Sequence, residues 1–195
     1  MKNVKSICVY CGSSAKTPEK YKDAAVAVGK LLAKHKIRLV YGGGSSGTMG
    51  IIADAVMAAG GEVCGVITDF LYDAEGGHTG ITSLLVVPSM HERKMKMFDE
   101  SDAFIILPGG LGTLDETFEL MTWRQIGMHK KPAVFLNVDG YWDPLLKALL
   151  PSMVQDGFVR AEDLSLFSAV DIPEEILAAL SEKQADVGSF SSKWA

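Results

Sequence analysis

Three stretches of this sequence carry residue types and spacings that could do chemistry. Pro108-Gly109-Gly110-Leu111-Gly112-Thr113 is a glycine-rich loop followed at once by Leu114-Asp115-Glu116. Glycines let the backbone approach a ligand, and a helix opening just after them offers N–H groups to an anion. A carboxylate in the first turn of that helix points into the same cleft, where it could serve as a general acid or base. The same residues also read as a capping box, Thr113 capping the helix and Glu116 bonding back, a purely structural role worth about 1 kcal/mol. Gly42-Gly43-Gly44-Ser45-Ser46-Gly47 has the literal G-x-G-x-x-G spacing of a dinucleotide fingerprint. Two details oppose that reading. The loop follows the second predicted strand rather than the first, and Glu62 opens the next strand instead of closing it. Asp69 lies nearer the carboxyl end, where a ribose-binding acid belongs, and keeps the dinucleotide reading open. A Walker A loop is excluded, since no Gly-Lys-Ser/Thr follows.

The third stretch is Ser89-Met90-His91-Glu92, a second capping box that places Arg93 and Lys94 early in a helix. Two cations there oppose the macrodipole, and a bound anion would relieve the conflict. A solvated basic face, continued by Lys96, is the plainer alternative. Met95, Met97 and Phe98 read as core. His78, His91 and His129 are too scattered to propose a metal, and Trp123 reads as core or subunit interface.

These stretches need a scaffold that brings them together, and the chain alternates short β-branched runs with longer helical ones. Strands are predicted at 6–10, 37–41, 62–67, 84–87, 103–107, 133–137 and 164–167. Helices are predicted after Thr17 as N-cap with Pro18 at the first position, then over 49–59, from 90, over 114–126, over 144–153 and from 173. Residues 68–82 read as a long irregular functional loop. Alternation with short connections means βαβ units, so the expected fold is α/β: a single-domain, Rossmann-like parallel sheet flanked by helices on both faces. The domain is expected over 1–182, with 183–195 a loose, polar C-terminal tail. Both glycine loops, and Cys11-Gly12-Ser13-Ser14 after the first strand, then converge at the carboxyl edge of the sheet, where ligands bind. Ser13, Gly43, Gly44, Gly47 and Gly109 are the candidate phosphate-loop residues.

Composition narrows the function classes. The chain has 195 residues, 48% of them apolar and 22% charged, which excludes a disordered or collagen-like protein. A net charge of −5 argues against a non-specific nucleic-acid or anionic-membrane binder. Cys8, Cys11 and Cys64 are expected to be buried free thiols; a redox pair or zinc half-site at Cys8-x-x-Cys11 is the alternative. The basic start is followed by an apolar stretch too short for a secretory segment, and no run of eighteen apolar residues occurs, so a soluble cytoplasmic protein is expected.

Pro108-Gly109-Gly110-Leu111-Gly112-Thr113-Leu114-Asp115-Glu116 resembles the PGGxGTxxE motif of the Lonely Guy (LOG) family, the cytokinin-activating phosphoribohydrolases. Gly43-Gly44 through Gly47 to Met49-Gly50 is similar to that family's first glycine loop, and Met90-His91-Glu92-Arg93-Lys94 to its MHxRK segment. Thr122-Trp123-Arg124-Gln125-Ile126-Gly127, with His129 and Lys131-Pro132, is similar to the stretch after its catalytic helix. The resemblance runs in order over roughly residues 5–180. It implies a Rossmann-like homodimer that needs no cofactor or metal and cleaves the N-glycosidic bond of an adenosine-type 5′-monophosphate, with N6-prenyl-AMP or AMP as the small-molecule substrate. It further implies Arg93 and Glu116 as the catalytic pair. Glu75, Lys94, Gly110, Leu111, Gly112, Thr113, Leu114, Asp115 and Thr122 are implied as substrate-contacting positions. Members of the family have also been labelled lysine decarboxylases, for which the sequence offers no pyridoxal-lysine context. A non-catalytic nucleotide or phosphorylated-cofactor carrier on the same fold is the alternative, and such a carrier would not need the Arg93/Glu116 pair.

Overall fold

The computed structural model describes residues 4–182, so the expected tail at 183–195 lies outside the described residues. Seven strands form one parallel sheet: β1 (Ser6–Tyr10), β2 (Arg38–Tyr41), β3 (Val63–Thr68), β4 (Ser83–Val87), β5 (Ala103–Ile106), β6 (Ala133–Leu136) and β7 (Ser168–Val170). Their spatial order is β4-β3-β2-β1-β5-β6-β7. The chain therefore winds outward from β1 to β4, then returns to the other side of β1 and winds outward again. Cys8 of β1 pairs with Val40 on one side and Phe104 on the other. The loops leaving β1 and β5 part at this reversal, which opens a crevice at the carboxyl edge.

Each inner strand buries both faces, as a parallel sheet between helices must. On β1 the period of two sends Ile7, Val9 and Cys11 into one core and Cys8 and Tyr10 into the other. The first core is covered by α1 (Glu19–Lys34), α2 (Gly47–Ala58) and α7 (Ile176–Ser181). The second is covered by α4 (Met90–Asp99), α5 (Leu111–Gln125) and the helical stretch ending in α6 (Leu150–Gln155). Pro151 cannot donate to the Lys147 carbonyl, and the segment before it, Pro144–Leu149, widens to π geometry. All three cysteines are free and buried. Cys8 and Cys11 face opposite sides of the sheet, so they form neither a redox pair nor half a zinc site.

Several local expectations differ from the structure. Thr17 does not cap α1: Pro18 occupies that place, and the Thr17 hydroxyl donates to the Ser14 carbonyl (2.7 Å) to close the loop. Residues 68–82 are not irregular throughout, for Thr68 caps a short helix, α3 (Asp69–Glu75), by accepting from the Leu71 N–H (3.2 Å). No residue of α3 is buried, so it leaves no apolar period to read. The last strand falls at 168–170 because Ala161–Ser165 forms a 3-10 turn, with Arg160 and Asp163 bonded across its start. Met95 is exposed rather than core.

Candidate active site

Two buried charges of opposite sign, Arg93 and Glu116, meet at the crevice. Arg93 lies in the first turns of α4, whose N-cap Ser89 accepts from the Glu92 N–H (3.2 Å) as the sequence predicts. Its guanidinium runs across the ends of two strands. Nε donates to the Val66 carbonyl (3.0 Å), one terminal nitrogen to the Gly42 carbonyl (3.1 Å), and the other to Oε1 of Glu116 (3.4 Å). Gly42 is indispensable to this, because a Cβ there would lie 2.1 Å from the guanidinium nitrogen. The cations early in α4 are thus answered within the protein: Arg93 by Glu116, and Lys94 by Asp115 and Glu119, both at 3.2 Å.

Glu116 is not the end of a capping box. Helix α5 starts three residues earlier than expected, with Gly110 as its N-cap, which puts Thr113 inside the first turn and Glu116 in the second. The residue is only 8% exposed. Burial raises the pKa of its carboxyl to about 7, against the pull of Arg93; Asp115 and Glu119 add to the rise and Lys94 opposes it. A carboxyl that exchanges its proton near neutral pH, one turn below a helix N-terminus, suits general acid–base work.

The two glycine loops prove unalike. In the first, the Thr48 N–H (3.0 Å), the Met49 N–H (3.3 Å) and the Thr48 hydroxyl (2.9 Å) all donate to the Gly12 carbonyl. The opening N–H groups of α2 are therefore spent on β1's own loop. Gly47 sits at φ +62°, and a Cβ there would be 2.4 Å from the Ser13 carbonyl carbon. Gly43, Gly44 and Gly47 do not line the crevice; they pack against neighbouring backbone and side chains. In the second loop the helix's internal bonding begins with the Leu114 N–H to the Gly110 carbonyl (3.0 Å). The N–H groups of Leu111, Gly112 and Thr113 precede it and are the ones an anion would meet. A Cβ at Gly109 would collide with the Thr113 hydroxyl at 2.1 Å, whereas Gly110 and Gly112 face open space.

These parts enclose a cavity of about 440 Å³. It brings together Ser13, Glu75, Arg93, Gly109, Gly110, Leu111, Gly112, Thr113 and Glu116. Lys94 and Asp115 sit outside it as an ion pair between α4 and α5, Leu114 packs on the second core, and the exposed Thr122 bonds its own helix at the Phe118 carbonyl (2.7 Å). Sequence reasoning missed Gly42, Leu71, Tyr21 and Tyr141, which also line the cavity. Tyr141 donates to the Gly109 carbonyl (2.6 Å) and meets Tyr21 edge to face at 5.3 Å. Tyr21 falls on the helical period of α1 and reads as core, and nothing local to Tyr141 ties it to a loop 32 residues away. His129 is structural: its ring contacts the Leu120 carbonyl (3.0 Å) and accepts from the Lys131 N–H (3.1 Å). Among the described residues no cluster of His, Cys, Asp or Glu could hold a metal ion, and no helix is long and apolar enough to cross a membrane.

Comparison with known proteins identifies relatives of this chain. The profile of a family described as "possible lysine decarboxylase" matches residues 49–180. The chain is 49% identical over 168 residues to a probable cytokinin riboside 5′-monophosphate phosphoribohydrolase, LOGL9, of Oryza sativa subsp. japonica, covering 86% of this chain and 74% of that one. It is 40% identical to the cytokinin riboside 5′-monophosphate phosphoribohydrolase LOG7 of Arabidopsis thaliana, over 97% of this chain and 87% of that one. Among solved structures, the molybdenum cofactor carrier protein of Chlamydomonas reinhardtii superposes with a TM-score of 0.67 at 20% identity, covering 91% of this chain and 96% of that one. At that identity the likeness is one of fold.

Proposed function

The chain belongs to the LOG family of phosphoribohydrolases, and from that premise we propose that it hydrolyses the N-glycosidic bond of adenosine-type 5′-monophosphates, N6-prenyl-AMP or AMP, to free base and ribose 5-phosphate. One observation carries the reading: a buried Arg93–Glu116 pair lies in the same cavity as the open N-terminus of α5. The 5′-phosphate sits on the N–H groups of Leu111, Gly112 and Thr113, with Ser13 and Gly109 beside it. The ribose then reaches down toward Glu116, one turn further along the same helix. As the C1′–N bond breaks, its electrons leave with the base and positive charge grows on the sugar, which the Glu116 carboxylate stabilises. Glu116 also takes the proton of the attacking water, while the departing nitrogen gains one, for which Glu75 on the cavity wall is the candidate donor. Arg93 spends three N–H bonds on protein oxygens. It thereby fixes Glu116, and its remaining N–H groups are the donors left for a substrate oxygen.

The same reading takes residues 1–182 as the phosphoribohydrolase domain, acting as a homodimer in the cytoplasm. Met90 and Leu111 expose apolar surface beside the site, as a subunit interface requires, and three unpaired cysteines suit a reducing compartment. A pyridoxal-dependent decarboxylase would need a lysine in the cleft. No described lysine lines it, and Lys94 is held by two carboxylates. The test is chromatography after incubating the protein with AMP and, separately, isopentenyl-AMP. Free base with ribose 5-phosphate is the expected result, and the ratio of rates sets base preference. Tight AMP binding without cleavage would instead make the protein a carrier.

A further inference from the structure

We infer that His78 and Asp54 form a latch that holds α3 against the first glycine loop, making His78 a positioning residue for the cavity. The inference rests on the nucleotide reading above in so far as Leu71 and Glu75 face substrate. Helix α3 has seven residues and buries none of them, so packing does not fix it. Yet it delivers Leu71 and Glu75 to the cavity wall. Glu75 stands in its last turn, at the end where the helix dipole disfavours a carboxylate, a placement that stability alone would not select.

What fixes α3 lies just downstream. Gly76, at φ +74°, ends the helix immediately after Glu75. Gly77 bridges to Gly44, and a Cβ on Gly77 would lie 2.8 Å from the Tyr72 ring, so that ring seats directly on its backbone. The His78 N–H donates to the Gly43 carbonyl (2.9 Å). Its imidazole accepts the Gly80 N–H at Nδ1 (3.2 Å) and lies 3.0 Å from Oδ1 of Asp54 through Nε2. A ring that accepts at Nδ1 carries its proton on Nε2, so it donates to the Asp54 carboxylate. The side chain of His78 is 12% exposed and that of Asp54 72%. Gly43 and Gly44, which the sequence offers to a phosphate, are instead the anchorage of this strap. Asp54 belongs to α2 and lies outside the cavity.

The decisive variant is Asp54→Ala, an exposed helix position where alanine favours folding. Amide hydrogen exchange over residues 69–80 should speed up roughly fivefold while α5 stays unchanged, and kcat/KM for AMP should fall by a similar factor, because Glu75 both faces substrate and supplies the leaving-group proton. Asp54→Asn, which keeps an acceptor for Nε2–H, should restore both. In a Glu75→Ala background Asp54→Ala should leave kcat/KM where Glu75→Ala alone puts it, because the latch acts through that residue. Unchanged exchange over 69–80 would overturn the latch. Faster exchange with an unchanged kcat/KM, or additive effects with Glu75→Ala, would overturn its part in positioning. A wild-type protein that cleaves neither nucleotide would refute the proposed reaction, and the exchange result would still decide the latch.

Discussion

The two glycine loops begin from the same sequence signal and end with opposite uses. Both follow a strand of one parallel sheet, and both open a helix. At 42–47 the Gly12 carbonyl already occupies the N–H groups of Thr48 and Met49, and the glycines let three segments of chain pack within contact of one another. At 108–113 no carbonyl of the described residues fills that place, and the helix begins beneath an open cavity. The lesson is that a glycine-rich turn becomes an anion site only when no other part of the chain has reached it first. Gly42 is the exception within the first loop, since its missing side chain makes room for Arg93.

Substitutions that separate the two loops test this difference. The largest effect is expected behind the second loop: Glu116→Gln should lower kcat by about 10³-fold while AMP still binds, as measured by steady-state kinetics beside calorimetry. Near-normal turnover would remove the carboxylate from the chemistry. Gly47→Ala, which meets both a positive φ and the Ser13 backbone, should cost about 3 kcal/mol in denaturant unfolding, with little specific effect on phosphate affinity.

Next comes the buried carboxyl itself. Its folded pKa of about 7 lies above the ordinary value of 4.5, so the native state holds the proton more tightly than the unfolded chain. The stability it contributes is therefore complete below pH 4.5 and is lost as pH rises through 7. Glu116→Gln should accordingly be more stable than wild type at pH 8, by roughly 2 kcal/mol, and equal to it near pH 4.5. Equal melting temperatures at both pH values would contradict the buried, costly carboxylate. Gly110→Ala should leave stability intact, as its Cβ meets nothing, yet raise KM for AMP by roughly tenfold by intruding on the phosphate. Smallest of all, Thr48→Val removes one hydroxyl bond to Gly12 and should cost about 1 kcal/mol without moving KM.

Much of this was legible in the sequence, and what was not has a physical reason. Buried strands and amphipathic helices declare themselves through apolar spacing, and the α/β alternation follows from them. Helix α3 has no buried face, so only Thr68 at its start could have announced it. Arg93 and Glu116 emerged from motifs, but their partners are distant in the chain: Gly42 is 51 residues from Arg93, a separation no local rule spans. The apparent capping box at Thr113 misled because glycines at 110 and 112 let the helix start earlier than its first good cap.

The three bonds of the Arg93 guanidinium carry one more consequence. They reach residues 27, 51 and 23 positions away, on β3, in the loop just after β2, and on α5. Such contacts form only after long loops have closed. The chemistry is thus withheld from any partly folded chain: a newly made polypeptide can hold most of its helices and still spare the cell's nucleotides. Regain of hydrolysis during refolding is then a report on the completed sheet, arriving after the helical signal has already recovered.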